Sequence, residues 1–216
     1  MIEHTALPID PALFYTFLIA AVLIEITPGP NMAYLVTLAV TRGRVAGLAT
    51  VAGITLGLAV YLVAAAFGLT GIFLLYRPAY DALRLAGVAY LLWLAVDAWR
   101  GADGGEARDV AELSCRQLAM RGFLINILNP KAAVFYIALL PSFIQAEHAG
   151  PRTQALLLGS VHIAISIAVH LSLVLLAVRL GGFAATGTGG SILMRRIFAV
   201  LLAGVAVWLT YETRAV

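Results

Sequence analysis

Cysteine, lysine and long hydrophilic stretches are what this chain has least of. Its 216 residues include one cysteine, Cys115, so an intrachain disulfide, a cysteine metal pair and a membrane dithiol carrier are all excluded. Beside Arg116 in a polar segment, that thiol reads as inert. Charged residues make up 12% of the chain and hydrophobic ones 62%, with a mean hydropathy of +0.97. No soluble domain hides that much apolar surface. The longest hydrophilic run, residues 100–121, is too short for a second domain. A single all-α integral membrane domain over residues 1–216 is therefore expected, working in or beside the lipid bilayer. A net charge of +3 does not point to nucleic acid, because the arginines sit at the edges of apolar runs, where membrane topology accounts for them. Residues 1–10 lack lysine and arginine, and so lack the basic region of a secretory signal peptide; the first apolar run is predicted to remain as a span.

Apolar runs cover residues 11–41, 45–76, 79–99, 122–146, 153–178 and 197–211, the last starting near residue 192. About 20 helical residues cross the hydrocarbon, which gives about six spans. Tyr76, Tyr80, Trp93, Trp99, Trp208 and Tyr211 crowd their ends as interfacial anchors do. Arg42, Arg44, Arg100, Arg108, Arg116, Arg121, Arg179, Arg195 and Arg196 fall in one set of loops, against Arg77, Arg84, Arg152 and Arg214 in the other. The richer set is predicted to be cytoplasmic, with both termini outside. Two three-span halves, about 11–100 and 116–213, are then joined by a cytoplasmic linker at 100–121. The glycine-rich stretch 181–191 reads as a flexible cytoplasmic connector and lacks the Gly-Lys-Ser/Thr of a phosphate loop.

The first and fourth spans are predicted to be broken. In Thr27-Pro28-Gly29-Pro30-Asn31 the two prolines lack the N–H groups that would bond the carbonyls of Ile24 and Ile26, and Gly29-Pro30 resembles a new helix start. In Asn129-Pro130-Lys131, Asn129 is a good N-cap, Pro130 suits the first helical position, and Pro130 leaves the carbonyl of Asn126 without its helical donor. Interrupted backbone at membrane depth is tolerated only against protein or a wet cavity, so two breaks argue for a cavity between them. Helix N-termini attract carboxylates, freed carbonyls attract ammonium groups, and an amino acid carries both. One break in each three-span half is the pattern of inverted-repeat secondary transporters. The match is imperfect, since the first break lies 17 residues after Pro11 and the second 8 after Gly122.

Lys131, the only lysine, and Glu25 are the charges deepest in apolar runs. An ammonium in lipid costs at least about 2.5 kcal/mol, so Lys131 is expected to face a cavity or a partner. Glu25 and Lys131 are proposed to line one cavity, as a pair that substrate or a proton could split; a structural ion pair or a lysine reaching the interface is the plainer alternative. His162, Ser166 and His170 form one stripe at helical spacing, able to relay protons or simply to bond backbone and water within the bundle. Gly43, Gly47, Gly53 and Gly57 contain two GxxxG spacings that allow close helix approach, within the chain or in a homo-oligomer. Asp97, at a span end, reads as interfacial, near Arg100.

The residues 27–31 (TPGPN), 42–57 (RGRVAGLATVAGITLG), 86–95 (AGVAYLLWLA) and 122–136 (GFLINILNPKAAVFY), in this order across most of the chain, resemble the LysE/RhtB family of bacterial amino-acid exporters. The resemblance implies a multi-pass carrier in the bacterial cytoplasmic membrane, expelling amino acids or close derivatives under the proton gradient. Glu25, Thr27, Pro28, Gly29, Pro30, Asn31, Asn126, Asn129, Pro130 and Lys131 are the expected substrate site, and Glu25, His162 and His170 the candidates for proton coupling. Neither a metal nor a cofactor is expected. A metal-cation exporter of similar architecture is the second transport reading, weakened by ligands without metal-binding spacing. A non-transporting scaffold would leave the broken spans without a reason. An intramembrane enzyme finds no His-Glu-x-x-His, and no serine placed by the sequence for a Ser-Lys pair.

Overall fold

Proline, which costs a helix nothing at its first position, sets most of the element boundaries. The computed structural model describes residues 8–70, 76–102 and 113–184, together with seven positions between 196 and 207. Helices α1 (Pro11–Ile26), α2 (Pro30–Ala66), α5 (Pro130–Val134) and α6 (Pro151–Ala184) all begin on proline. Between them stand α3 (Arg77–Ala102) and α4 (Cys115–Ile127), and α5 runs on as a π turn, Phe135–Leu139, and a 3-10 turn, Leu140–Phe143. The described positions from 196 to 207 are helical too, and no strand occurs among the described residues.

Capping fixes the starts. The Asp10 carboxylate accepts from the Ala12 amide at 2.9 Å, and at α4 Ser114 and Gln117 form a reciprocal capping box. That box starts α4 at Cys115, seven residues before the apolar run begins at Gly122. The two breaks consequently follow helices of 16 and 13 residues. The unequal offsets expected from the apolar runs largely disappear, because a capped helix starts in the polar segment while hydropathy marks only its apolar part. The opposite end of the molecule departs from expectation in the same way. Helix α6 continues through Gly181 and Gly182 to Ala184, so the first four residues of the expected connector are helical, and 185–191 lie outside the described residues. The sixth expected span, with Trp208 and Tyr211, falls mostly outside them as well.

Within α2, Gly43 has φ 80° and ψ −171°, a conformation that interrupts the helix between Arg42 and Arg44. This divides α2 where the first and second expected spans were separated. Helices α2 and α6 are long and apolar enough to cross a membrane, and α4 with the α5 segment, bent by 55° at residues 128–129, makes a third candidate. The remaining apolar helix among these, α1, is shorter.

Helices α2, α4 and α6 approach closely because glycines line their crossings. A Cβ on Gly53 would lie 1.8 Å from the Ala119 carbonyl oxygen, and one on Gly122 would lie 2.5 Å from that of Thr50. Gly47 meets Val174 of α6, so the GxxxG spacings serve contacts within the chain. Phe17, Ile54, Phe135, Tyr136, Leu140 and Leu158 gather α1, α2, α5 and α6 into the main buried cluster. Outward, Leu56, Val60, Val63, Leu156 and Leu176 are exposed, as side chains facing lipid would be.

Candidate functional site

Both interruptions form as their prolines dictate. After Ile26 the chain leaves the helix, Gly29 takes an extended conformation (φ −163°, ψ −178°), and Pro30 opens α2. At the second break Leu128 ends α4, the Asn129 side chain accepts from the Lys131 amide at 3.0 Å, and Pro130 opens α5. The two helix starts are not equivalent. Asn129 caps its own helix, whereas Gly29 has no side chain with which to cap α2.

Three carbonyls at the breaks have protein partners. Lys131 Nζ donates to the Thr27 carbonyl at 2.6 Å, tying the second break to the first. Tyr61 Oη donates to the Ile127 carbonyl at 2.7 Å, and the Asn129 amide takes the Asn126 carbonyl at 3.1 Å, so the carbonyl orphaned by Pro130 is satisfied by a tighter turn. The Lys131 stem runs beside Gly29: a Cβ there would lie 3.6 Å from Lys131 Cδ, an ordinary contact distance.

A narrow cleft lies between the breaks, lined by Glu25, Gly29, Asn31, Asn126, Asn129, Lys131, His162 and His170, with Ile24, Met32, Leu58, Ala132 and Phe135. Thr27 reaches it through its carbonyl on Lys131; Pro28, Pro30 and Pro130 shape the backbone and are not among the lining residues. Glu25 and Lys131 line the same cleft but form no ion pair within 4.0 Å. The nearest basic groups to the Glu25 carboxylate are histidines: Oε1 lies 3.0 Å from His162 Nε2, and Oε2 lies 4.0 Å from His170 Nε2. The reason is positional. Glu25 is on the last turn of α1, which packs on α6, while Lys131 is drawn to the broken backbone. The 3.0 Å approach is not aligned as a hydrogen bond, since His162 Nε2 has no partner that meets hydrogen-bond geometry.

The two imidazoles are held from behind. Tyr136 Oη is 3.1 Å from His162 Nδ1, and Ser166 Oγ is 3.1 Å from His170 Nδ1. Phe135 stacks on the His162 ring at 3.6 Å between centroids. With Nδ1 engaged, each ring turns Nε2 toward the one carboxylate, an arrangement able to exchange a proton with it. Across the cleft, Asn31 Nδ2 donates to Asn126 Oδ1 at 2.8 Å. Chemically, the cleft thus offers an acid, an ammonium, two imidazoles and three side-chain amides.

Tyr136 and Tyr61, which stack with their centroids 5.8 Å apart, escape sequence reasoning. The signal for them was a phenol in the middle of an apolar run, where a hydroxyl needs a partner. The side chain of Asp97 lies outside the described positions. Among the described residues no group of three or more His, Cys, Asp or Glu is placed to hold a metal ion, so the metal-exporter reading gains no support from this geometry.

The model of the LysE type translocator family matches residues 22–213. The homoserine/homoserine lactone efflux protein of Salmonella typhimurium is 30% identical over 172 residues, covering 79% of this chain and 82% of that one. An uncharacterized membrane protein of Vibrio cholerae is 29% identical, covering 81% and 85%. The leucine efflux protein of Klebsiella pneumoniae is 27% identical, covering 64% and 66%. No solved structure matches. With a family match that takes in both helix breaks, the cleft and both histidines, the chain belongs to the LysE type translocator family.

Proposed function

We propose that this protein is a secondary transporter that exports amino acids or close derivatives across the bacterial cytoplasmic membrane, coupled to proton entry. The observation that carries the reading is the cleft between two helix breaks, lined by Glu25 on one side and Lys131 on the other. A zwitterion's ammonium has Glu25 as its partner. Its carboxylate has Lys131 and the uncapped start of α2, where the first amides bear partial positive charge. The homoserine and leucine named for the relatives share that zwitterion and differ in side chain. Family membership favours a translocator over an enzyme or a scaffold.

Proton coupling is assigned to Glu25, His162 and His170, because substrate ammonium and imidazolium compete for one carboxylate. Six spans in two inverted halves, with the linker at 100–121 cytoplasmic and both termini outside, accommodate the arginine distribution and the nearly equal placement of the breaks. Proteoliposomes of the purified protein test this reading. Saturable counterflow of labelled amino acid, stimulated by an opposing proton gradient, is expected; no saturable exchange across the common amino acids, with or without the gradient, would refute it.

A further inference from the structure

Where α2 crosses α4, their outward side chains leave an apolar groove that shares no lining residue with the cleft. Leu56, Val60 and Val63 recur at helical spacing along α2, and Met120 and Phe123 stand on α4. The half-buried Ala59 and Ala119 contribute only methyl groups. Arg116, two turns before Phe123 and so on the same face of α4, is the one charged residue in the described lining. Its side chain is exposed and has no ion-pair partner among the described residues.

Gly53 lies against Ala119 and Phe123, and Gly57 against Asn126, so the two helices run in the same direction here. The apolar walls therefore lead away from Arg116. Seven residues carry each wall roughly 10 Å along its helix, against roughly 15 Å for the hydrocarbon of one leaflet. Arg116 belongs to the first turn of α4, which starts in the polar segment, so the charge stands at the end of the groove nearest water.

One guanidinium at the polar end of an otherwise apolar groove is complementary to a molecule with an anionic head and a hydrocarbon tail. We propose that this groove binds one anionic phospholipid, an acyl chain laid along Leu56, Val60 and Val63 and its phosphate on the Arg116 guanidinium. A guanidinium can hold two phosphate oxygens with parallel bonds, and the positive end of α4 adds to the attraction. A second copy of the chain fits the groove less well. A two-fold axis along the membrane normal would set both copies of Arg116 at one depth against each other, with no acid in the described lining to separate them. The site is independent of what the cleft carries.

Native mass spectrometry of the full-length protein tests the proposal, from detergent micelles holding equal amounts of dioleoyl phosphatidylglycerol and dioleoyl phosphatidylcholine. The two lipids share their chains and differ in head charge. Wild type is expected to retain one phosphatidylglycerol, preferred over phosphatidylcholine by about fivefold. In Arg116→Gln the ratio should fall toward one. In Val60→Trp, where an indole fills the groove, both lipids should be lost. Each substitution replaces an exposed side chain, and if one variant fails to fold the other decides. Equal retention of the two lipids by wild type, a preference unchanged in Arg116→Gln, or lipid still held by Val60→Trp would overturn the proposal. So would a lipid-free dimer that Val60→Trp dissociates, which would give the groove to a second copy.

Discussion

Glu25 lies on the inner side of α1 with two imidazoles within 4.0 Å, and substrate would bring an ammonium to the same oxygens. Losing a charged hydrogen-bond partner is worth about 1.5–3 kcal/mol, so Glu25→Gln is expected to raise KM for a zwitterionic amino acid by roughly 10- to 100-fold. Initial rates of counterflow check this, and an unchanged KM would take Glu25 out of the site. Imidazoles as a class change charge between about pH 5 and 8, and His162 Nε2 faces the Glu25 carboxylate at 3.0 Å. His162→Gln should flatten the pH dependence of exchange across that range, and the wild-type profile surviving the substitution would exclude His162 from coupling. Lys131 has two roles to separate, holding the Thr27 carbonyl and meeting a carboxylate. Lys131→Met should depress exchange of an amino acid much more than exchange of its ester or lactone, which has no carboxylate to lose. Equal losses would assign Lys131 to the backbone alone.

At the scale of elements, the glycines of α2 divide by physical cause. A Cβ on Gly43 would meet nothing within 4 Å, yet the residue sits at φ 80° and ψ −171°, so Gly43→Ala suffers from conformation alone, about 1–3 kcal/mol. Gly53 has ordinary helical backbone but a Cβ would strike the Ala119 carbonyl, so Gly53→Ala must push α2 and α4 apart. Thermal unfolding in detergent is expected to show the larger loss for Gly53→Ala; the reverse order would mean that the crossing yields more easily than the turn. The breaks themselves are legible in the sequence, because a proline's missing N–H acts locally whatever surrounds it. So is the Asn129 cap, which spans two residues. The start of α4 departs from the hydropathy boundary because Ser114 and Gln117 decide it. The reach of the partners explains what is hidden: the Lys131–Thr27 contact joins residues 104 positions apart, and no local pattern encodes it.

Over the whole molecule, orientation is the quantity a labelling experiment reads directly. Cys115 is the only cysteine and is exposed at the start of α4, which the proposed topology puts on the cytoplasmic side. A membrane-impermeant maleimide should therefore label wild-type protein in inside-out vesicles and not in intact spheroplasts. In a Cys115→Ser background, Arg152→Cys should show the opposite access, and labelling of both positions from one side would invalidate the proposed topology.

Hydropathy and the groups that each residue carries or lacks are enough to establish an all-helical membrane protein, two prolyl motifs that interrupt its helices, and one acid and one lysine placed where lipid would reject them. The pairing of the buried groups is settled at a different level, by the packed fold. There Glu25 goes to two histidines of α6, Lys131 to the carbonyl freed by the first break, and Asn31 to Asn126. Which buried charge meets which partner depends on how glycine-lined helices cross and on how far a broken backbone displaces its carbonyls, and those are properties of packing between segments distant in the chain.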